Sequence, residues 1–158
     1  MNIIIRKMTI DDVEQVIAID RMSFSLPWPE RSFRFELTDN PASRCWVSEM
    51  DGNVVGIIVV WLIVEEAHVA TIATHPDFRR QGIAKRLLSH ALRELRHEGA
   101  QSSFLEVRAS NVVAQEMYRK FGYEESGVRP RYYKDNDEDA FLMTLESLDV
   151  ERLEDQEA

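Results

Sequence analysis

The sequence contains little of what disulfide-bonded, metal-binding or membrane-spanning proteins depend on. Its single cysteine, Cys45, cannot form an internal disulfide and lies in an apolar run, so we expect a buried structural thiol and a reducing compartment. No spacing of histidine, cysteine and acidic residues is typical of a metal site. The longest apolar run, 54–64, is too short to cross a bilayer, and no secretory signal precedes the first charged segment. These absences predict a cytoplasmic protein that holds no metal and binds no membrane.

Positive charge is also scarce. The chain has 158 residues, with 19 lysines and arginines against 28 acidic residues, and its formal net charge is -9. This balance argues against nucleic acids and anionic membranes as partners. Four basic side chains are nevertheless concentrated between Arg79 and Arg86, against the average charge. That local excess marks the segment as a candidate anion site.

The pattern around this cluster predicts a strand, a basic loop and a long helix over residues 71–99. The helix is indicated by apolar residues at helical spacing, namely Ile83, Leu87, Leu88, Ala91, Leu92 and Leu95. Gly82 and Ala84 have almost no side chain, so a ligand can approach the backbone closely. The first amides of a helix lack internal acceptors, and the helix dipole adds positive charge there. The loop therefore suits a pyrophosphate, although many helices without a ligand also begin with a basic turn.

The remaining pattern predicts one α/β domain over residues 1–148, followed by an acidic tail, 149–158, that we expect to fray. The predicted order is β-α-α-β-β-β-α-β-α-β-β, which gives a mixed sheet. Strands are expected at 3–7, 42–50, 54–64, 68–74, 102–108, 123–128 and 139–145, and helices at 9–24, 29–38, 83–98 and 111–121. A charged aromatic loop is expected between the last two strands.

Three side chains are candidates for chemistry. Glu106 lies on a predicted strand between apolar neighbours, where desolvation would raise the pKa of its carboxyl toward that of a general base. The alternative is an ion pair with Arg108 on the same face of the strand. His68 could order a water or relay a proton, or could be a hydrogen-bonded edge histidine. Tyr118 is either a general acid for a leaving group of high pKa or a core aromatic whose hydroxyl reaches solvent.

Two aromatic segments could contact a substrate. One is a proline-framed loop, which is pre-organised for contact but could equally close the core. The other is a basic-aromatic loop, which could bind a peptide backbone and carboxylates or could be a solvated hairpin. Their residues are Leu26, Pro27 and Trp28 in the first and Arg131, Tyr132 and Tyr133 in the second.

Taken together, these residues resemble the GNAT superfamily of N-acetyltransferases. Arg79, Gly82 and Ala84 fill its acetyl-CoA pyrophosphate pattern, Gln/Arg-x-x-Gly-x-Gly/Ala. The run 105–111, with Tyr118 and the Phe-Gly-Tyr at 121–123, is similar to the RimI-type branch, which acetylates the N-terminal alanine of ribosomal proteins. The resemblance covers about residues 3–145. It implies a single-domain GNAT fold with a mixed, mostly antiparallel twisted sheet flanked by helices on both faces.

The resemblance also implies a role for each candidate residue. Glu106 would be the base, acting through water, with His68 in the same relay, and Tyr118 would contact the cofactor and protonate the departing CoA thiolate. Asn111 would hold the cofactor or the start of the tyrosine's helix. The pantetheine arm would pair with Ile72, Ala73 and Thr74, and the pyrophosphate would lie against Arg79, Arg80, Gln81, Gly82, Ile83, Ala84 and Lys85. The acceptor groove would be framed by Leu26, Pro27, Trp28, Arg131, Tyr132 and Tyr133.

The function implied is transfer of an acetyl group from acetyl-CoA to the N-terminal α-amine of a protein, with a ribosomal protein as one candidate acceptor. We expect direct attack by the amine, because an α-ammonium has a pKa near 8 and needs little help to lose its proton. We expect a monomer or a weak homodimer. Two alternatives stay open: acetylation of a lysine side chain or small amine, and a non-catalytic CoA-binding module.

Overall fold

The computed structural model describes residues 2–149 and 151–153. Within this part of the chain, seven strands form one sheet in the order β1-β2-β3-β4-β5-β7-β6. The strands are β1 (Ile3–Lys7), β2 (Ser43–Met50), β3 (Asn53–Ile63), β4 (Glu66–Thr74), β5 (Ser102–Arg108), β6 (Glu124–Tyr133) and β7 (Glu138–Leu145). The helices are α1 (Val13–Ser23), α2 (Glu30–Thr38), α3 (Ile83–His97) and α4 (Val112–Phe121). The predicted mixed, mostly antiparallel sheet is confirmed, since only β4 and β5 pair in parallel.

Helices cover both faces of the sheet and divide the core in two. On one face, α3 and α4 bury Leu87, Leu92 and Phe121 against the strands. On the other, α1 and α2 bury Ile17 and Phe33. The middle of β3 is buried on both faces, as its continuous apolar run predicts. The sheet is therefore a rigid platform from whose strand ends a site can be built.

The ends of helices α3 and α4 follow from the residues at their termini. Gly82 (φ +77°) precedes α3, and Gly99 (φ +108°) follows its last turn. Asn111 caps α4 through its side chain, and Gly122 (φ +109°) stops it. These starts and stops were all predicted from the sequence. The first helix differs, since a 3₁₀ turn, Ile10–Asp12, separates Thr9 from α1.

Two predictions of local structure are wrong. Residues Arg131, Tyr132 and Tyr133 belong to the end of strand β6 rather than to a loop. The strand bulges there, because Arg129 pairs with Ala140 and the next pair is Tyr133 with Glu138. The second correction concerns the tail predicted to fray at 149–158. Residues 151–153 are helical and Leu153 is only 1% exposed within the α3–α4 core, while 150 and 154–158 lie outside the described residues.

Two further observations concern the features that the sequence has little of. Cys45 is partly buried on β2, and burial raises the pKa of its thiol to about 11, as suits the expected structural thiol. Among residues 2–149 and 151–153, no helix has the length and apolar character needed to span a bilayer.

Candidate active site

The site is a gap between β4 and β5. The two strands pair only from Glu66 with Ser102 to Val69 with Leu105. Beyond this point β4 stays with β3 as far as Thr74, and β5 stays with β7 as far as Arg108. The edge of β4 that faces the gap therefore has no strand partner over residues 70–74 within the described chain. Such an edge can pair with an extended ligand as if the ligand were another strand.

A bulge in β4 lies where the strands part. Val60 pairs with Val69, whereas the neighbouring Val59 pairs with Thr71, so Ala70 is the extra residue. A bulge bends its strand and increases the local twist. The bend coincides with the end of the β4–β5 pairing, so the gap is built into the backbone. The predicted cofactor strand, Ile72, Ala73 and Thr74, lies directly after it.

The basic loop follows β4 and ends at the first turn of α3. His75 starts it, and its Nδ1 accepts a hydrogen bond from the amide of Asp77 at 3.1 Å. Arg80 (φ +64°) and Gly82 (φ +77°) both adopt left-handed backbone conformations, which turn the chain sharply into the helix. The first amide to find a helical acceptor is that of Arg86, which bonds to the carbonyl of Gly82 at 3.0 Å. The preceding amides have no helical acceptor, as at every helix start.

Two features of this loop fit a pyrophosphate. A side chain at Gly82 would project into open space, since no other heavy atom lies within 4 Å of the Cβ position. Helix amides and the helix dipole favour an anion at that place. Arg79 folds back instead, and its Nε donates to the carbonyl of Thr74 at 3.2 Å. The loop thus brings together Arg79, Arg80, Gln81, Gly82, Ile83, Ala84 and Lys85 beside the open edge of β4.

Glu106 lies on β5 at the other side of the gap. Its side chain is 15% exposed, and its Oε2 has no hydrogen-bond partner within the described residues. The nearest cation is Arg129 on β6, whose Nε lies 3.8 Å from Oε2. The alternative of a pair with Arg108 is wrong, because Arg108 is bound to other carboxylates. The carboxylate is therefore mostly buried but keeps an oxygen free to accept a proton.

His68 lies on the same face of the sheet as Glu106. Its ring stacks on Phe104 with centroids 4.1 Å apart and meets the edge of Trp61 at 5.1 Å. Burial lowers the pKa of His68, and the negative charge of Glu106 only partly opposes this. The imidazole is therefore neutral at neutral pH, as a water-ordering or proton-relaying role requires.

Tyr118 comes from α4 on the opposite face and is 5% exposed. Its ring meets Tyr123 edge to face at 5.7 Å. Burial, with a smaller contribution from Tyr133, raises the pKa of Tyr118. The hydroxyl therefore holds its proton across the physiological range, which a proton donor must do.

Asn111 and Gln115 connect β5 to α4. The Asn111 Oδ1 accepts from the amide of Ala114 at 3.2 Å, so it supports the start of the tyrosine's helix. The Gln115 Nε2 donates to the carbonyls of Arg108 and Ala109, both at 3.0 Å. Sequence reasoning missed Gln115, although a buried glutamine on an otherwise apolar helix face is a signal of such a tie.

The proline-framed loop between α1 and α2 would form one wall of the predicted acceptor groove. Leu26 is 51% exposed, while Trp28 is half-buried against Phe33 at 5.1 Å between centroids. The amide of Trp28 donates to Oδ2 of Asp20 at 2.7 Å. Asp20 is buried, which raises the pKa of its carboxyl. Pro27 lies exposed between Leu26 and Trp28, so the loop presents its apolar side chains outward from a fixed backbone.

The β6–β7 hairpin would form the other wall of that predicted groove. Arg131 (φ +52°) turns the bulge, and its amide donates to Oδ1 of Asp139 at 3.0 Å. Tyr132 and Tyr133 stand perpendicular, with centroids 5.2 Å apart. Burial and then the carboxylate of Glu106 raise the pKa of Tyr132, which places this hydroxyl beside the candidate base. Of the predicted acceptor residues, Tyr132 is thus the one whose contact with Glu106 is seen.

Sequence reasoning also missed the contacts that join these two walls. Ser25 of the α1–α2 loop donates a hydrogen bond to Asp135 in the β6–β7 turn, and Arg108 contacts both. Ser25 and Asp135 are 110 residues apart in sequence, so no local pattern indicates their contact. Among the described residues there is no group of three or more histidine, cysteine or acidic side chains that could hold a metal ion.

Comparisons with known proteins agree with this geometry. Residues 13–123 match the family model described as "Acetyltransferase (GNAT) family". The chain is 37% identical over 139 residues to a putative [ribosomal protein bS18]-alanine N-acetyltransferase of Bacillus subtilis, covering 88% of this chain and 92% of the relative. It is 35% identical over 152 residues to an N-alpha-acetyltransferase of Sulfurisphaera tokodaii, covering 88% and 90%. The crystal structure of the ribosomal-protein-S18-alanine N-acetyltransferase from Escherichia coli superposes with a TM-score of 0.85 at 29% identity, covering 94% of this chain and 96% of that one.

Proposed function

This chain belongs to the GNAT acetyltransferase family, and we propose that it transfers the acetyl group of acetyl-CoA to the N-terminal α-amine of a protein. The observation that carries the proposal is the position of Glu106. It lies on β5 where β4 parts from it, on the proposed donor side, and beside Tyr132 of the hairpin, on the proposed acceptor side. A mostly buried carboxylate with a free oxygen is suited to take a proton from an incoming amine.

We propose that the β4 edge and the loop before α3 hold acetyl-CoA. The open space over Gly82 and the unbonded helix amides fit its pyrophosphate, and residues 72–74 fit an extended pantetheine arm. When bound, acetyl-CoA supplies a thioester, which is open to direct attack by a neutral amine. No covalent attachment to the chain is needed, in keeping with the raised pKa of Cys45.

The chain's own residues then handle the protons. Glu106 takes a proton from the acceptor's ammonium through a water, and neutral His68 helps to order that water. Tyr118 keeps its hydroxyl proton because burial raises its pKa, so it can deliver that proton to a leaving thiolate. Glu106 removes a proton more easily from an α-ammonium, with a pKa of about 8, than from a lysine ammonium, with a pKa of about 10.4.

The acceptor is proposed more finely as a ribosomal protein. The curated relatives from Bacillus subtilis and Escherichia coli are named for the alanine of ribosomal protein bS18. With such an acceptor, the reaction is proposed to take place in the cytoplasm. The exposed Leu26 and Tyr132, at 51% and 43%, offer apolar surface to the first residues of an extended chain.

The test is acetyl transfer to short peptides that differ in their first residue, each with a free and with a blocked α-amine. We expect transfer only to free N-termini, with alanine first among them. Transfer to blocked peptides that contain lysine would contradict the proposal in favour of side-chain acetylation. Binding of acetyl-CoA without transfer to any peptide would contradict it in favour of a small amine or a non-catalytic module.

A matched pair of variants links this activity to the base. Glu106→Gln should lower kcat by about 100-fold, because general base catalysis is commonly worth at least that much. Acetyl-CoA affinity, measured by calorimetry, should stay within about twofold, since Glu106 lies outside the proposed cofactor side. Glu116→Gln, at an exposed position on α4, is the control and should leave both quantities unchanged.

A further inference from the structure

We propose that Arg108 is a positioning residue that latches the two acceptor walls together and so sets the affinity for the acceptor peptide. This inference rests on the proposed function, because it concerns how a peptide acceptor reaches Glu106. Arg108 is one strand repeat beyond Glu106 and shares its face of β5. The base and the latch are therefore carried by the same short segment of strand.

The guanidinium of Arg108 holds the β6–β7 turn. Its Nη2 donates to both carboxylate oxygens of Asp135 at 3.0 Å, and its Nη1 lies 3.4 Å from Oε1 of Glu138. The Cζ lies 3.9 Å from the centroid of the Tyr133 ring, so the flat guanidinium also covers one of the proposed acceptor aromatics. The three charged side chains are 15–22% exposed, which screens them less than fully exposed ion pairs.

The same guanidinium reaches the α1–α2 loop. Its Nη2 lies 3.4 Å from Oγ of Ser25, and Ser25 in turn donates to Asp135. Ser25 is in the segment that leads to Leu26 and Trp28, so the latch joins both walls at one point. Apart from the Ser25–Asp135 bond and the contact of Arg108 with Ser25, the described side-chain hydrogen bonds include no direct tie between this loop and the hairpin.

The latch also explains why Glu106 is left without a strong ion pair. Arg108 faces the same side of β5 and would otherwise be the natural partner of Glu106. Its bonds to Asp135 and Glu138 draw it toward the hairpin, and Gln115 fixes its backbone carbonyl from the other face. Arg108 therefore does not pair with Glu106, whose nearest cation is Arg129, with Nε 3.8 Å from Oε2.

The first experiment measures steady-state kinetics of Arg108→Met and Arg108→Lys. For Arg108→Met we expect the KM for the peptide to rise roughly tenfold, with kcat and acetyl-CoA affinity within about threefold, because wall geometry and not the base is lost. Arg108→Lys keeps the charge but cannot fork between Asp135 and Glu138 as the two guanidinium nitrogens do, so its peptide KM should lie between those of the wild type and Arg108→Met. A loss of acetyl-CoA affinity as large as the rise in peptide KM would overturn the inference, and so would an unchanged peptide KM.

A double-mutant cycle tests whether Arg108 acts through Asp135. Asp135→Asn alone should raise the peptide KM, and the double variant with Arg108→Met should be no worse than Arg108→Met alone. Multiplied effects in the double variant would show that the two residues act separately and would overturn the latch. Arg44→Met is the control for loss of an arginine ion pair. Arg44 lies away from the site, and its Nη2 is 2.9 Å from Oε1 of Glu98. This variant should leave the peptide KM unchanged.

Hydrogen exchange separates this inference from the proposed function, since it needs no substrate. In Arg108→Met, amides of 24–28 and 130–138 should exchange faster than in the wild type, while α3 stays protected. Should no peptide be acetylated by the wild type, the proposed function fails and exchange still reports on the latch. Faster exchange with an unchanged peptide KM would overturn the positioning role, and unchanged exchange would overturn the latch itself.

Discussion

On the proposed cofactor side of the gap, one continuous segment from Ile72 to Lys85 supplies a strand edge, a turn and a helix start. On the proposed acceptor side, the walls come from residues 24–28, from β5 and from the β6–β7 hairpin, and side chains join them. The first side is therefore made chiefly of backbone, and the second chiefly of side-chain contacts. Backbone surfaces tolerate most substitutions that preserve the turn, whereas a side-chain assembly depends on each of its members.

A surface made of backbone and a surface made of side chains also differ in the ligands that they can recognise. Amides at a helix start bind any anion of suitable shape. The exposed aromatics and charged turn of the proposed acceptor side would instead select the acceptor by shape and charge. On the proposed function, one side holds a general ligand and the other a selective one, so substitutions on the two sides should affect different kinetic constants.

The largest effect is expected at Gly82, in the turn of the proposed cofactor side. Gly82→Trp should weaken acetyl-CoA binding by at least about 100-fold, or about 2.7 kcal/mol, because an indole would fill the open space before the first amides of α3. Isothermal titration with acetyl-CoA measures this directly. Tight binding by the variant would show that the cofactor is held elsewhere.

The matched control for this variant is Gly52→Trp in the β2–β3 turn. Gly52 has φ +82°, close to the φ +77° of Gly82, and its Cβ position is equally open. Both variants therefore carry the same backbone strain. Any difference in acetyl-CoA affinity between them reports on the site rather than on stability.

A smaller effect is expected at Tyr118, which α4 contributes from the opposite face of the sheet to Glu106. Tyr118→Phe should lower kcat by roughly tenfold to 100-fold, the low end for a general acid, because a thiol with a pKa of about 8.5 leaves with little help. The KM for the peptide and the affinity for acetyl-CoA should change little. Rapid-quench measurement of the first turnover isolates the acetyl-transfer step from product release.

Tyr123→Phe is the control for Tyr118. Tyr123 is also buried, touches Tyr118 edge to face and bonds to Oγ of Ser103 at 2.7 Å. Its loss should lower the free energy of unfolding by about 1 kcal/mol, because Ser103 keeps its bond to the carbonyl of Ala67. It should leave kcat unchanged. If both variants lost kcat equally, Tyr118 would be a core residue rather than a proton donor.

The same contrast decides how much of the site the sequence could predict. The cofactor side is contiguous, so strand, glycine turn and helix start are all visible in residues 71–99. Asn111 and Gly122 likewise cap their own helix, and both positions were predicted. Local chemistry is enough wherever a feature is made by neighbours in the chain.

The acceptor side could be predicted only as separate parts. Glu106 was correctly placed on a strand face with Arg108, but the pairing of Arg108 with Asp135 depends on a hairpin that closes 27 residues later. The segment 131–133 was expected to be a loop because Pro130 and the charges around it disfavour a strand. The bulge in β6 accommodates them without ending the strand. Similarly, the burial of Leu153 depends on α3 and could not be inferred from an acidic tail.

The smallest effect is expected at His68, on the acceptor side. His68→Gln should lower kcat by only about fivefold at neutral pH, because Glu106 remains as the base and glutamine can still hold a water. Comparing its loss of kcat with that of Glu106→Gln distinguishes a residue that orders the water from the general base. A loss of about 100-fold would instead make the imidazole an obligatory member of the relay.

The unfolding equilibrium gives His68 a second, independent signature. Burial against Phe104 and Trp61 lowers its pKa in the folded state, so the unfolded state binds the proton more readily as the pH falls below about 6.5. The wild type should therefore lose stability toward acid more steeply than His68→Gln. Urea unfolding between pH 8 and pH 5 measures the difference, with His97→Gln, at an exposed position on α3, as the control. Parallel curves for all three proteins would show that His68 binds its proton equally well in the folded and unfolded states, which would contradict the burial of its ring in the folded protein.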